Sequence, residues 1–452
     1  MSTLTYRRLL RDNRSFRWLW SGQVVSELGN WFNFIAGLGL VRSVSTAAPE
    51  ATAIMLVARL VPFAVFAPLA GTFADRWSRR TVMIASDVAR GVVALGFLFV
   101  RGPEDLWIAY ACSVAGSLLT AFFEAAKNAA MPNITGAQGL LAGNALMFSS
   151  RFLLMSFGAA LGGWASARFG YQAAFVINAV SFLVSAYSIW LISEEAMREG
   201  SIDENVNGSE SAAGHGSQKH ERFWTDLQEG WRFIAKYPLV AAIISVNVLW
   251  ATGGGACNLI YDRLGGVVFA GRGGLEGDAG VAALYATVGA GVFVGMLCAR
   301  RVGTHVELHG LTARFIGWML LAHGVLFAIG GLMPTLGLAG LMMFLSRFVI
   351  GIEYAVQETL LMRLIPDNLR GRVITTDRAA EILVMSFSTV LAAWALRAIS
   401  PRTLTVISGL LSASPGLIWL ALFASGRLSM PAQADEAREK EDEEEPVLAT
   451  AG

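Results

Sequence analysis

Twelve apolar runs, each about the length a helix needs to cross a bilayer, constrain this chain more than any other feature. They lie near residues 18–41, 51–73, 82–101, 106–131, 139–166 and 171–192, and then near 238–261, 280–299, 311–333, 337–364, 373–397 and 403–425. A spanning helix takes about 20 apolar residues, and in lipid every backbone N–H and C=O must pair within the protein, so such runs become helices. Of the 452 residues 54% are hydrophobic and 15% charged, against about 45–50% and 25% in soluble domains. That supply is used up by about twelve spans. The pattern predicts an all-α integral membrane protein and leaves no material for a sizeable soluble domain.

The runs fall into two sets of six. The stretch between them, SEEAMREGSIDENVNGSESAAGHGSQKHER, is too polar to bury a core. The expected organisation is a cytoplasmic segment 1–17, a six-helix bundle 18–192, a cytoplasmic linker 193–237, a second bundle 238–425 and an acidic cytoplasmic tail 426–452. Within the linker Phe223, Leu227, Trp231 and Ile234 stand at helical spacing, predicting an amphipathic helix along the membrane surface. With both termini inside, fifteen Lys and Arg fall in short inner loops and seven, among them Arg42, Arg263, Arg272 and Arg397, in outer ones, which favours that orientation. Trp18, Trp20, Trp107, Trp190 and Trp419 near span ends read as an interfacial belt. Glu124 and Pro132 recur as Glu358 and Pro366 at one common offset of 234. Two sixes joined by a linker, with that echo, predict paired bundles that rock about a central cavity.

Several classes are disfavoured. A formal charge of +1 gives no field that gathers nucleic acid. Cys112, Cys257 and Cys298 lie inside apolar runs without C-x-x-C spacing, and His305 with His309 lacks further ligands, so neither a disulfide framework nor a metal site is expected. No G-x-x-x-x-G-K-[ST] loop speaks for a nucleotide-driven pump, and no nucleophile–base grouping speaks for an enzyme. No cofactor is implied.

Between the second and third spans stands GTFADRWSRRT, residues 71–81. The pattern Gly71, Asp75, Arg76, Arg79, Arg80 resembles the loop signature of the major facilitator superfamily. Physically, Gly71 allows close helix approach, and Asp75 can sit at the positive end of another helix or pair with an arginine. Such a loop can latch the halves together. FRWLWSGQVVSELGNWFNFIA (16–36), MIASDVARG (83–91), GAALGG (158–163), DLQEGWRFIAKYP (226–238) and PDNLRGRV (366–373, with Arg370 and Arg372) resemble the branch containing macrolide-efflux proteins and the enterobactin exporter. That branch usually has proline where Ala159 stands here. The resemblance implies export from the cytoplasm across a bacterial cytoplasmic membrane, usually driven by proton entry, and leaves the substrate open.

Ionisable groups at membrane depth mark functional positions. Gln23, Glu27 and Asn30 share one face of the first span, with Glu27 near mid-membrane. Removal from water disfavours a charged carboxyl, so Glu27 is the first candidate to carry a proton, with Glu353 and Glu381 behind it. Arg59, Arg151 and Arg347 also lie deep. Each must face a carboxylate, a backbone carbonyl or a wet cavity, and each is a candidate, with Gln23 and Asn30, for lining a substrate site. Asp87/Arg90, Glu124/Lys127 and Asp377/Arg378/Glu381 read as locking pairs. The leading expectation is a secondary active exporter of an amphipathic small molecule such as a drug, antibiotic or siderophore. A lysolipid or nutrient transporter of the same fold stays open, as does a non-transporting receptor or scaffold. The expected partners are that small molecule, protons and the lipid bilayer, with the chain acting as a monomer.

Overall fold

The computed structural model describes residues 6–45, 48–74, 77–197, 230–271 and 277–430. Asp75, Arg76, Arg272, Phe223, Leu227 and nearly all of the linker and acidic tail lie outside these residues. A short α1 (Tyr6–Asp12) leads into α2 (Arg14–Val44), which the Asn13 side chain caps by accepting from the Phe16 N–H at 2.8 Å. Then come α3 (Pro49–Ala74) and α4 (Arg79–Gly96). The stretch Leu106–Trp190 is one helical path turned back twice, at Gly136 (φ 66°) and Gly170 (φ 79°). Both glycines adopt left-handed backbone that a side chain resists, so the path makes three helices, α5 (106–135), α6 (137–169) and α7 (171–190).

The later residues give α8 (Pro238–Gly254) and α9 (Cys257–Arg263), which continue through a π-turn at Leu264–Val268. They are followed by α10 (Gly277–Leu308), α11 (Thr312–Leu332), α12 (Leu336–Leu364), α13 (Asp367–Ala395) and α14 (Pro401–Ala424). Eleven stretches among the described residues are long and apolar enough to cross a membrane. One of them, 138–190, contains the Gly170 turn and so passes twice. The all-helical, twelve-pass architecture read from the apolar runs is therefore the fold. Large apolar side chains such as Val92, Phe99, Leu297, Phe387 and Trp394 face outward, an arrangement that suits lipid contact and not water.

Two faces can be distinguished: a near face, where α2 begins, and a far face, where it ends. Four apolar clusters hold the helices together. One near-face cluster is built from residues 9–197 alone, around Phe16, Leu19 and Phe123. Another is built from residues 233–430 alone, around Ile243, Leu320 and Trp419. A third, around Ala36, Phe97 and Phe175, again draws only on residues before 176. The fourth joins both halves of the chain: Phe34, Ile35, Leu38, Ala53 and Leu56 pack with Tyr261, Leu264, Tyr285, Phe327 and Ala392. The halves thus share a core on the far side and keep separate cores on the near side.

Two details differ from the sequence reading. Trp419 is fully buried, not interfacial, because its Nε1–H donates to the Ala313 carbonyl at 2.8 Å. Residues 230–236 are helical, but Phe233 and Ile234 supply the buried face while Trp231 points outward.

At the shared interface a Cβ on Gly163 would lie 2.1 Å from the Ala282 Cβ. Gly163→Leu should therefore lower stability by about 1–3 kcal/mol through overpacking. The checking measurement is the thermal unfolding midpoint of purified protein, which should fall clearly below wild type.

Candidate functional site

Three helices bring charge to one depth. Glu27 lies about 20 Å along α2 from its near end, and Arg151 about the same distance along α6, at 1.5 Å per residue. Arg59 in α3 reaches a similar level from the opposite direction. The Glu27 Oε1 and Arg151 Nε are 3.9 Å apart, and Asn30 Nδ2 donates to Glu27 Oε2 at 3.4 Å. Arg151 is 70% exposed at mid-depth. A lipid-facing guanidinium there is costly, so its exposure points to a polar cavity between the helices. Since the far side is closed by the shared core, that cavity opens to the near face.

The floor of the cavity is aromatic. Trp31 meets Phe34 edge to face at 5.5 Å and lies 5.9 Å from Tyr285, and the Arg59 guanidinium stands 4.8 Å over the Phe34 ring. The floor closes because α6 and α10 approach closely enough for Ser156 Oγ to donate to the Ala286 carbonyl at 2.8 Å. Gln23 and Asn30 line the wall as their spacing on α2 requires, both half-buried.

Of the remaining sequence candidates, Arg347 is not in this cavity. It lies behind the floor, donating to the Tyr261 hydroxyl at 2.6 and 3.1 Å with the Phe327 ring beside it. A phenol and rings, not a carboxylate, receive its charge. Glu353 is 2% exposed, and its Oε1 has no hydrogen-bond partner. Glu381 accepts from Arg378 at 3.0 Å, and Arg378 also approaches Glu358 at 3.7 Å and bonds Tyr354. Asp377 pairs with Asn247 at 3.0 Å instead of with its neighbour Arg378. The other two locking pairs form as read, Asp87 with Arg90 and Glu124 with Lys127. At the near face Gly71 lies in the last turns of α3. Arg79 reaches the Ala129 carbonyl at 3.0 Å, Arg80 the Trp190 carbonyl, and Arg370 the Met362 carbonyl at 2.9 Å. Arg372 packs beside Gly230 where the chain re-enters the second half.

The sequence reading did not foresee the polar centre of the far face. Arg42, counted as a loop charge, is buried and bonds both Asp262 and Asp278 across the halves. Arg263 pairs with Asp262 at 3.0 Å and donates to Thr52 Oγ1 at 2.8 Å; Tyr171 donates to Asp278 at 2.6 Å. At the rim Arg397 binds Glu50. A Cβ on Gly266 would lie 2.6 Å from the Arg42 guanidinium, so the π-turn backbone makes room for it. The available signal was that Arg42 sits within an apolar run and that Asp262 and Asp278 bracket a short glycine-rich loop.

The family model "Major Facilitator Superfamily" matches residues 19–379, and the chain belongs to this superfamily of membrane transporters. It is 26% identical over 405 residues to the "Uncharacterized MFS-type transporter YfiS" of Bacillus subtilis (strain 168), covering 85% of this chain and 88% of that one. It is 30% identical over 142 residues to the "Putative bacilysin exporter BacE" of the same organism, covering 30% of this chain and 34% of the relative. Among solved structures, an auto-inhibited POT family peptide transporter superposes with TM-score 0.68 at 11% identity over 93% of this chain and 98% of that one. A bacterial homologue of the iron transporter ferroportin in its inward-facing state gives 0.64 at 15% identity over 90% and 98%. At such identities these two show the shared fold.

Removing Arg42 leaves Asp262 and Asp278 short of a partner in an apolar setting, a loss of about 3–5 kcal/mol. Arg42→Ala should therefore open the far face and expose Cys257, which is buried in the shared core. In a Cys112→Ser, Cys298→Ser background, labelling of Cys257 by a membrane-impermeant maleimide from the far side should rise at least about a hundredfold over wild type.

Proposed function

We propose that the chain is a proton-coupled exporter of an amphipathic small molecule, working by alternating access in a bacterial cytoplasmic membrane with both termini in the cytoplasm. The observation that carries this reading is a mid-depth carboxylate–guanidinium pair, Glu27–Arg151, in a cavity open at one face and closed at the other by a separable charge cluster. The excess of Lys and Arg in the loops of the near face supports placing that face in the cytoplasm. The sequence resemblance to macrolide-efflux proteins and the enterobactin exporter supports outward movement, as does the local similarity to BacE.

In the proposed cycle residues 18–192 and 238–425 move as two bundles, with 193–237 as a linker. Substrate enters from the near face and docks between Glu27, Arg151 and the aromatic floor. Far-face opening separates Arg42 from Asp262 and Asp278 while the near face closes, with the loop Gly71, Asp75, Arg76, Arg79, Arg80 and the matching Arg370 and Arg372 acting as the near-side latch. Glu27 loses its proton inward and regains one from outside, so net proton entry drives export. Glu353 and Glu381 are the next carboxylates in line for that role.

The test uses proteoliposomes with an imposed pH gradient and a panel of anionic, neutral and cationic amphipathic dyes. Wild type should concentrate at least one dye against its gradient, and Glu27→Gln should bind it yet fail to concentrate it. Full gradient-driven accumulation by Glu27→Gln would make Glu27 structural. Movement driven the opposite way would favour an importer of the same fold. Asp75→Asn, in the same assay, should slow turnover about tenfold or more, the worth of one lost charge-assisted hydrogen bond, without lowering the amount inserted.

A further inference from the structure

The cavity holds more positive charge than negative. Arg59 and Arg151 lie close enough to act on one another and on Glu27, the one carboxylate whose charge reaches Arg59. Among the described residues Arg151 has its 3.9 Å approach to Glu27 and the more distant charge of Glu124, which Lys127 holds, and Arg59 has no carboxylate within ion-pair distance. Behind the floor Arg347 adds a third guanidinium, satisfied by a phenol. The other acidic groups are engaged elsewhere: Glu124 by Lys127, Glu358 and Glu381 by Arg378. Arg59 has no carboxylate partner and Arg151 only a wet, distant one, so an anionic group placed between them gains charge-assisted hydrogen bonds from both.

The unpaired polar atoms agree independently. On the helix that carries Glu27, the buried atoms without a hydrogen-bond partner are Trp18 Nε1, Gln23 Nε2, Trp31 Nε1 and Asn33 Oδ1; the two one turn either side of Glu27, Gln23 Nε2 and Trp31 Nε1, are both donors. The acceptors of Glu27 are already shared between Arg151 and Asn30. Charge and hydrogen-bonding capacity therefore ask for the same thing, an acceptor bearing negative charge. Beside them Trp31 and Phe34 offer a flat apolar surface.

We propose that the substrate of this site is an organic anion: a carboxylate, sulfonate or phosphate carried on an aromatic or similarly flat apolar body. The anionic group lies between Arg59 and Arg151 within reach of Gln23, and the body lies on Trp31 and the aromatic floor. A cationic amphiphile is disfavoured, because taking Glu27 for itself would leave it facing two uncompensated guanidiniums. This rests on the cavity being the substrate site of the transport reading, and it names the charge of what binds there.

Binding is measured without any gradient, on purified full-length protein in nanodiscs, by equilibrium dialysis. The probes are 1-naphthaleneacetate, 1-naphthaleneacetamide and 2-(1-naphthyl)ethylammonium, repeated with the anthracene and pyrene analogues so that ring size does not decide the outcome. In at least one ring series the carboxylate should bind about tenfold or more tighter than the amide, as charge-assisted hydrogen bonds imply, with the ammonium weakest. Arg59→Gln and Arg151→Gln should each erase most of that preference. Glu27→Gln should keep the carboxylate preference over the amide, because Arg59 and Arg151 remain in place, an outcome that a folding defect cannot imitate. A tighter ammonium, a preference unchanged in both arginine variants, loss of the carboxylate preference in Glu27→Gln, or no binding in any series would overturn the proposal. If carboxylate selectivity holds while proteoliposomes show no gradient-driven movement, the coupling reading fails and this one stands; the converse result separates them equally.

Discussion

The rest of the molecule depends on one guanidinium. Arg42 bonds Asp262 and Asp278, two carboxylates that belong to the other half of the chain, while Arg263 balances the remaining charge. Two cations and two anions make a neutral, buried cluster that closes the far face above the shared apolar core. Because that side is shut, water reaches Glu27 and Arg151 from the near face alone. A buried ion-pair cluster gains little over hydrated charges, since desolvation offsets most of the attraction, yet a single member left unpaired is strongly disfavoured. Such a contact separates as a unit or not at all. An apolar seal of equal area would lack that all-or-none character.

The arginines at membrane depth show how one residue type is accommodated by different surroundings. Arg42 finds two carboxylates, Arg151 a distant carboxylate and water, Arg59 the face of Phe34, and Arg347 the hydroxyl of Tyr261. Arg90 combines Asp87 with two rings, Phe123 and Phe182. Guanidinium suits all of these because it is planar, weakly hydrated and able to stack. The consequence is functional. Where the partner is fixed and close the arginine locks helices; where it is distant and wet, as at Arg151, the charge remains available to another ligand.

The two halves echo one another without being copies. Glu124 and Glu358 occupy corresponding places, but the first takes Lys127 from its own helix and the second Arg378 from α13. The first pairing stiffens one helix. The second ties two helices of the same half together. Both lie within one half, so they leave the near face free to separate.

How far the sequence carries can be judged from particular residues. The apolar runs dictated twelve helical passes because backbone groups in lipid have no other partners, and the shared face of Gln23, Glu27 and Asn30 followed from helical spacing alone. The loop pattern from Gly71 to Arg80 placed the chain in its superfamily. Which charges meet was another matter. Arg42 and Asp262 are separated by 220 positions, and the apolar run around Arg42 hints at burial without naming its partner. Trp419 likewise looks interfacial until the Ala313 carbonyl is seen beside it. The sequence by itself determined the elements and the depth of the polar groups in mid-span, such as Glu27 and Arg151, because hydrophobicity and helical period act locally. Only the tertiary structure decided the partners, and with them which face is closed, because a pairing depends on how helices far apart in the chain are rotated and brought together.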